Sequence, residues 1–327
     1  EPIDSLYFCI YVKDKAGNLK QMLSQPMTSL WKVIVGENSQ GNGGDYLAPN
    51  IRFKNPAFLE KDAKGNLFIS DSHFNNIRVI SSLSSSTPGE VSLFAGNGKP
   101  SAVSDGDSIE GAMRGGMSGI VFDEGKNKAI LASQYDGIFI ADLNSQRTQA
   151  NLKKIISMRS PKIAKRIYKG KVSLLIYHVN NFKPNDASAM SYLYEVPWSD
   201  LYTFSKPMSV LDLAKYKIAG NGVVSMGSYK IPDKVIIGVD TDSGDDSQTL
   251  DRPVAITTDP NGNIYLASSA DGVALGWGHH RVRKLRPLDS GKFEQTILGA
   301  ITWVNQMEYF NNKLYISRHN SFLSIDL

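Results

Sequence analysis

The sequence has a single cysteine, Cys9, in 327 residues. One thiol excludes an internal disulfide framework and a four-cysteine zinc site. No apolar run approaches the ~20 residues that a membrane-spanning helix needs, which excludes that class of protein. The sequence also lacks the nucleophile elbow, the Walker loop, the dinucleotide fingerprint and the HExxH helix. None of these catalytic motifs therefore assigns an activity.

Positive charges exceed negative charges by only a small number. The formal net charge is +4 at pH 7, which is too small to predict a nucleic-acid partner. Hydrophobic residues make up 41% of the chain, as expected for a globular protein with a large core. One basic run is dense. Alternate strand residues point to opposite sides, so its cations would not form a single patch, and we interpret the run as a solvated sheet face. It contains Lys153, Lys154, Arg159, Lys162, Lys165, Arg166, Lys169 and Lys171.

Internal repetition is the strongest signal in the sequence. Residues 55–81 and 252–286 both contain a proline, a short apolar strand, an aspartate, a Gly-Asn turn, a second alternating strand and an arginine-containing third strand. The turns at Gly65-Asn66 and Gly262-Asn263 suit tight hairpins, because glycine and asparagine tolerate positive φ. Each repeat therefore predicts a series of antiparallel strands.

Three weaker copies follow the same plan, at residues 117–142, 163–196 and 300–326. Their turns fall at Lys126-Asn127, Lys169-Gly170 and Asn311-Asn312. A fourth strand is indicated at 91–94 and at 215–218, in each case before an Ala-Gly-Asn-Gly segment. Four short strands per repeat, at a spacing of roughly 45–60 residues, are typical of a propeller blade. We therefore predict an all-β propeller of four-stranded blades.

The two clearest copies resemble NHL repeats. Asn76-Ile77-Arg78-Val79 and Arg281-Val282-Arg283-Lys284 match the third-strand pattern of that family, and the Asp…Gly-Asn turns match its first hairpin. The resemblance covers about half of the chain and implies the propeller fold, whereas it indicates little about function. It also favours export, so we expect a secreted, periplasmic or cell-surface protein.

The number of blades depends on the spacing of the turns. Five turns are visible, and the gap between the third and the fourth could hold a degenerate sixth blade built from 223–231 and 234–240. We favour six blades, with five as the alternative, in a single domain spanning 1–327. The last copy shows three strands, so we expect residues 1–36 to close that blade, through 6–13 or 30–36.

Several conspicuous side chains have structural interpretations. We expect Asp62, Asp123 and Asp259 to accept hydrogen bonds from turn backbone. We expect Arg78 and Arg283 to lie half-exposed on outer strands.

The five histidines all lie near the end of the second strand of a repeat. If these strand ends share one face of the propeller, the imidazoles gather around the channel mouth, as a zinc site requires. NHL-like lyases that cleave peptidyl-hydroxyglycine hold a metal through channel histidines, so the resemblance implies a similar site, although their local motifs are not reproduced. The alternative is that these are solvated or loop-packing histidines. The candidate metal ligands are His73, His178 and His319, and the candidate ligand-binding histidines are His73, His279 and His280.

An acidic segment, residues 240–251, alternates carboxylates with small residues. Such a pattern resembles a calcium loop, although no glutamate stands at the twelfth position of an EF-hand. Its candidate metal ligands are Asp240, Asp242, Asp245 and Asp246, and the alternative is a solvated loop. The cofactor is therefore unknown, with Ca²⁺ and Zn²⁺ as candidates. The glutamate, asparagine and aspartate metal set of gluconolactonase-like propellers cannot be assigned in this sequence.

Trp277 lies between Gly276 and Gly278 and could protrude as an aromatic anchor, or could instead pack between two blades. Because the longest connections belong to one face, we expect that face to bind a ligand. The sequence predicts a non-catalytic, monomeric propeller that recognises a protein, peptide or glycan there. The alternative is a metal-dependent lyase or hydrolase with a histidine-lined channel mouth.

Overall fold

The computed structural model describes residues 7–13, 19–26, 56–71, 76–80, 91–96, 117–144, 150–159, 161–180, 190–220, 234–237, 252–269, 279–310, 312–318 and 321–327. They contain 22 strands and two short helical turns. No helix in these ranges is long and apolar enough to cross a membrane.

Five antiparallel sheets form the blades of a propeller, which confirms the predicted fold. Within each blade, consecutive strands pair as hairpins, apart from one additional outer strand in blade 4. Blade 1 contains β3 (Pro56–Lys61), β4 (Leu67–Asp71), β5 (Asn76–Ile80) and β6 (Val91–Ala95). Blade 2 contains β7 (Met117–Asp123), β8 (Lys128–Ser133), β9 (Gly137–Leu143) and β10 (Ala150–Ile156). Blade 3 contains β11 (Lys162–Tyr168), β12 (Lys171–Asn180), β13 (Met190–Pro197) and β14 (Lys217–Ala219). Blade 4 contains β15 (Lys234–Ile237), β16 (Arg252–Thr258), β17 (Ile264–Ser269), β18 (His279–Pro287) and β19 (Phe293–Thr302). Blade 5 contains β20 (Val304–Phe310), β21 (Lys313–Arg318) and β22 (Ser321–Asp326).

The blades form a closed ring around their first strands. β3, β7, β11, β16 and β20 contact one another in that order, and β20 returns to contact β3. The described residues therefore match the five-blade alternative, and the preference for six was wrong. The reason is β15, which we had assigned to a sixth blade: it pairs with β19 as a fifth, outer strand of blade 4. The other predicted strand of that blade, 223–231, lies outside the described residues.

The N-terminal strands form a separate hairpin. β1 (Tyr7–Lys13) pairs with β2 (Leu19–Pro26) in a two-stranded sheet. Within the described part of the chain, blade 5 has three strands. The other candidate closing segment, 30–36, lies outside the described residues, so closure by residues 1–36 stays a prediction.

All five predicted turns join the first strand of a blade to the second. Gly65, Asn127, Lys169, Gly170, Gly262 and Asn312 have positive φ, as the turn residues required. Asp62 Oδ1 accepts hydrogen bonds from the Lys64 and Asn66 amides, and Asp259 Oδ1 accepts the equivalent pair from Asn261 and Asn263. Both aspartates therefore have the turn role predicted for them. We call the face that carries these five turns the turn face. The opposite face, where second strands end and third strands begin, is the loop face.

Apolar side chains from adjacent blades interdigitate to form the core. Between blades 1 and 2, for example, the Phe68 ring lies 4.8 Å from both Phe94 and Phe122. Similar clusters join blades 2 to 3, 3 to 4 and 4 to 5. Arg78 and Arg283 are only 4% and 0% exposed, so the prediction that they are half-exposed was wrong. All five residues of β5 are buried, and Arg283 donates to Gln295 of the adjacent strand β19 at 3.2 Å.

Blade 3 carries an insertion between β13 and β14 that the repeats did not predict. It contains α1 (Trp198–Leu201) and a 3-10 helix, Asp212–Tyr216. Its buried Trp198, Leu201 and Leu213 join the cluster between blades 2 and 3. The insertion thickens the turn face, where the sequence had predicted only short connections. It packs mainly against blade 2, where Met208 exchanges backbone hydrogen bonds with Ile155 and Ser157, and its last residues, Lys215 and Tyr216, face blade 4 across a cavity.

Candidate functional site: the central channel

The wall of the channel is formed by the first strands of the five blades. In β3, β7, β16 and β20 the pairing register shifts near the start of the strand, which leaves one additional residue in each. Such bulges bend a strand and redirect its side chains. The additional residues are Ala57, Ser118, Val254 and Asn305, and the last three line the channel cavity.

The channel cavity has a volume of about 280 Å³ and receives side chains from all five blades. It is close to the lower end of the size range of small-molecule sites, ~300–1,000 Å³. Its charged lining residues are Glu60, Glu124, Lys162, Lys165 and Glu308.

Two of these charged groups have clear structural roles. Lys165 Nζ donates to the Phe122 carbonyl oxygen at 3.2 Å, which joins blade 3 to blade 2. Glu124 Oε1 accepts from the Ala63 amide at 2.9 Å, which joins blade 2 to blade 1. These contacts explain why charged residues occur at these two positions.

Lys162 has no comparable contact. It is the first residue of β11, so it lies at the loop-face end of the channel. The Lys162 ammonium forms no ion pair or side-chain hydrogen bond with the described residues. Burial by the surrounding walls lowers its pKa to about 8, because a low-dielectric environment disfavours the charged form.

Glu308 is the acidic counterpart in β20. Its side chain is accessible to water within the channel, but the channel walls surround the carboxyl group. This burial raises its pKa to about 7, although a hydrogen bond from the Tyr309 amide opposes the shift. The accessibility and the desolvation are compatible, because a narrow channel admits water without giving bulk hydration.

Together, Lys162 and Glu308 place two groups that titrate near neutral pH in one enclosed space. Perturbed pKa values in a cavity are typical of functional sites, although structural networks can also produce them. Near pH 7 the lysine is mostly an ammonium donor, whereas the glutamate is divided between acid and carboxylate. The pair can therefore bind groups of both polarities, or transfer a proton.

The described channel residues do not fit a divalent cation. No group of three or more histidine, cysteine, aspartate or glutamate side chains is arranged to hold a metal in the described part of the chain. The Lys162 ammonium would also repel a cation in this space.

Two of the predicted histidines can be located with their side chains. His178 in β12 and His280 in β18 both lie near the loop-face ends of their strands. They are 2% and 9% exposed, and neither lines the channel cavity. His280 Nδ1 accepts a 2.9 Å hydrogen bond from the Val304 amide, which attaches blade 4 to the first strand of blade 5.

The other predicted site residues cannot be compared with the channel. His279 is described only as the first backbone position of β18. The remaining candidates lie outside the described residues: His73, His319, Trp277, Asp240, Asp242, Asp245 and Asp246. Their roles in ligand or metal binding stay predictions.

Sequence reasoning missed the channel pair. Lys162 was noticed only as a member of the basic run, and Glu308 was not singled out. One signal was available: Glu60 and Glu308 each follow their bulge residues, Ala57 and Asn305, by three positions. An alignment of first strands would have placed both carboxylates at equivalent channel positions.

Known proteins show only distant similarity to this chain. No protein-family model matches the chain, and no curated protein matches it significantly. Among solved structures, a protein provisionally described as a gluconolactonase has 11% identity, a TM-score of 0.40, and coverage of 82% of this chain and 72% of that chain. A protein from Lactobacillus plantarum has 9% identity, a TM-score of 0.41, and coverage of 85% and 82%. Similarity at this level transfers neither a substrate nor a residue role, and the NHL family in particular stays a resemblance.

Proposed function

We propose that this protein is a non-catalytic binding propeller that receives a polar end or side group of a peptide or glycan in its central channel. The observation that supports this is the cavity with the Lys162 ammonium at its loop-face end and the Glu308 carboxyl group in its wall. A partly buried ammonium that has no partner among the described residues is costly, and a bound ligand that supplies acceptor oxygens would offset that cost.

The position of Lys162 also supports the direction of binding. First strands begin at the loop face, so a ligand approaching from that face meets Lys162 and the bulge residue Asn305 before it reaches Glu308. Hydroxyl and amide groups match this mixed set of donors and acceptors. Peptides and glycans carry such groups, and this agrees with the ligand classes that the sequence predicted.

The test begins with wild-type protein on a glycan array and with a pool of random heptapeptides, followed by titration of the best probe. Lys162→Met and Glu308→Gln should each weaken binding of that probe about tenfold or more, as for the loss of a buried charged contact. Lys206→Met is the matched control, because Lys206 is exposed on the insertion and does not line the channel. Equal affinity in all four proteins would refute channel binding.

A second candidate function is a hydrolase or lyase, and the two perturbed pKa values favour it. A carboxyl group with a pKa of about 7 can donate a proton and recover it at neutral pH. The metal-dependent form of this hypothesis rests on the predicted histidine site, most of which lies outside the described residues. Metal analysis of the purified protein, followed by alanine substitution of His73 and His319, tests that form. Turnover of an array-positive probe that is lost in Glu308→Gln would support an enzyme over a binding protein.

A further inference from the structure

A second cavity lies on the turn face, between blades 3 and 4. Its volume is about 370 Å³. The insertion of blade 3 forms one side through Lys215 and Tyr216, and the turn between β18 and β19 forms the other through Leu288 and Lys292. The cavity therefore exists because the insertion rises beside blade 4, and it is separate from the channel.

The base of this cavity contains a fixed ion pair. Arg166, 3% exposed, donates from Nη1 to both carboxylate oxygens of Glu195, at 2.9 and 2.8 Å, and from Nε to the Gly262 carbonyl oxygen at 2.9 Å. Ser173 Oγ donates to the same carboxylate at 2.6 Å. Among the described residues Glu195 is the only acid that lines the cavity, and its carboxylate accepts three hydrogen bonds from two donors, Arg166 Nη1 and Ser173 Oγ.

The remaining charges around the cavity are all positive. Four lysines line it, and none forms an ion pair with a carboxylate of the described residues: Lys171, Lys215, Lys217 and Lys292. By contrast, two nearby cations outside the lining are paired, Lys169 with Asp289 and Arg286 with Glu294. The unpaired positive charge is thus concentrated at the cavity. The Lys217 ammonium does not add to this charge, because it lies 3.7 Å from the centre of the Tyr192 ring, which does not line the cavity.

The cavity also offers aromatic surface beside this charge. Tyr168, Tyr216 and Phe293 are lining residues. The Arg166 guanidinium lies 4.6 Å from the centre of the Tyr168 ring and 5.5 Å from that of Phe293, which fixes both rings against a planar cation. Phe293 is only 3% exposed, so a flat apolar group would stack on Tyr168 or Tyr216 while an attached anion reaches the lysines.

We propose that this cavity binds a small organic anion, in which a phosphate or carboxylate group is joined to a planar ring. Lysines without a carboxylate partner among the described residues attract anions to a concave site, and a phosphate or carboxylate can accept hydrogen bonds from the Lys171 and Lys292 ammonium groups. The aromatic walls select a ring-bearing anion over a free inorganic one. The site is independent of the proposed channel function.

Isothermal titration with three probes tests the proposal: adenosine 5′-monophosphate, 4-hydroxybenzoate and adenosine. We expect at least one of the two anions to bind, and its binding to weaken as the salt concentration rises. If the site prefers a phosphate, adenosine should bind at least tenfold more weakly than adenosine 5′-monophosphate. Lys171→Gln combined with Lys292→Gln should weaken binding of the anion at least tenfold, because both lysines line the cavity. Lys64→Gln, an exposed lysine of blade 1, is the matched control.

Other outcomes would overturn the proposal. It fails if neither anion binds at millimolar concentration, or if the double variant binds as tightly as wild type. It also fails if Lys162→Met in the channel abolishes anion binding while the double variant does not, because the anion would then occupy the channel. If the double variant does not fold, the single Lys292→Gln variant, changed at an exposed position, decides the same question.

Discussion

At the residue scale, Lys162 and Glu308 show how burial in one channel shifts the pKa values of a base and an acid towards 7. Burial disfavours the charged form of each, so the pKa of the lysine falls to about 8 and that of the glutamate rises to about 7. Neither group is required by the packing of the strand that carries it. Both therefore impose a cost on the folded state that depends on pH.

The raised pKa of Glu308 determines the direction in which stability changes with pH. The folded protein retains the proton up to about pH 7, whereas the unfolded chain releases it near 4.5, so this residue makes stability fall as pH rises through that interval. Glu308→Gln should remove the fall. Urea denaturation of both proteins at pH 4.5, 6 and 7.5 should show the variant gaining relative stability at each step. A difference that stays constant across these pH values would contradict the pKa shift.

The shifted pKa of Lys162 makes the stability of the protein change with pH in the opposite direction. Its folded-state pKa is about 8 against 10.5 in the unfolded chain, so the folded protein binds fewer protons between these values and stability rises with pH. Lys162→Met should therefore be more stable than wild type at pH 7, with the difference shrinking by pH 10. Denaturation at these two pH values measures it, with Lys206→Met as the exposed control. A variant less stable than wild type at pH 7 would show that the ammonium has an internal partner.

At the element scale, the first turn of each blade is held by local chemistry, which is why the sequence predicted it well. Asp259 accepts four hydrogen bonds: from the Asn261 and Asn263 amides, from Asn263 Nδ2 and from the Tyr265 hydroxyl. Asp62 accepts three equivalent bonds. The tyrosine bond has no equivalent in blade 1, because a phenylalanine, Phe68, stands at the position of Tyr265.

This difference makes a matched pair of substitutions informative. Asp259→Ala should destabilise the protein by roughly 2–4 kcal/mol, because it leaves buried donors unsatisfied, including the Tyr265 hydroxyl. Asp62→Ala should cost less, since blade 1 has Phe68 in place of the tyrosine and therefore no hydroxyl that loses its acceptor. Guanidinium denaturation of both variants gives the comparison. A larger loss for Asp62→Ala would mean that the tyrosine hydroxyl is satisfied elsewhere when the carboxylate is removed.

The elements that the sequence did not predict depend on contacts between distant segments. The insertion after β13 has no counterpart in the other repeats, and it is held by Asp123 of blade 2, whose Oδ2 accepts from Trp198 Nε1 at 2.6 Å and from the Tyr202 hydroxyl at 2.5 Å. Burial alone would raise the pKa of Asp123, but these hydrogen bonds outweigh it and lower the pKa overall. The expected backbone role of Asp123 is minor, a 3.3 Å bond from the Lys126 amide. No local sequence pattern predicts a contact between residues that are 75 positions apart.

The channel pair escaped prediction for the same reason. Lys162 and Glu308 belong to blades 3 and 5, and only closure of the ring brings their strands around one cavity. Hairpins can be predicted from turn residues because their partners are close in sequence. A site made of one residue from each of several blades cannot.

At the scale of the whole molecule, the closed ring makes every blade depend on its two neighbours. Apolar clusters join four successive pairs of blades within the described residues, and β20 contacts β3 at the fifth junction. Both candidate sites use this arrangement, since the channel needs all five blades and the turn-face cavity needs the junction of blades 3 and 4. Substitutions that loosen a junction should therefore weaken ligand binding as well as stability.

The way in which the ring is completed can be tested by two deletions. β1 pairs with β2 rather than with a strand of blade 5, so deletion of residues 1–26 should leave a cooperative thermal transition within a few degrees of that of the full chain. Residues 30–36 are the remaining predicted closing strand, and deletion of 1–36 should then broaden the transition, because an exposed blade edge and a weakened junction reduce cooperativity. Differential scanning calorimetry of the three proteins measures both effects. If both deletions leave the transition unchanged, closure by the N-terminal segment is ruled out. If the shorter deletion already abolishes cooperativity, the β1–β2 hairpin supports the ring without pairing with blade 5.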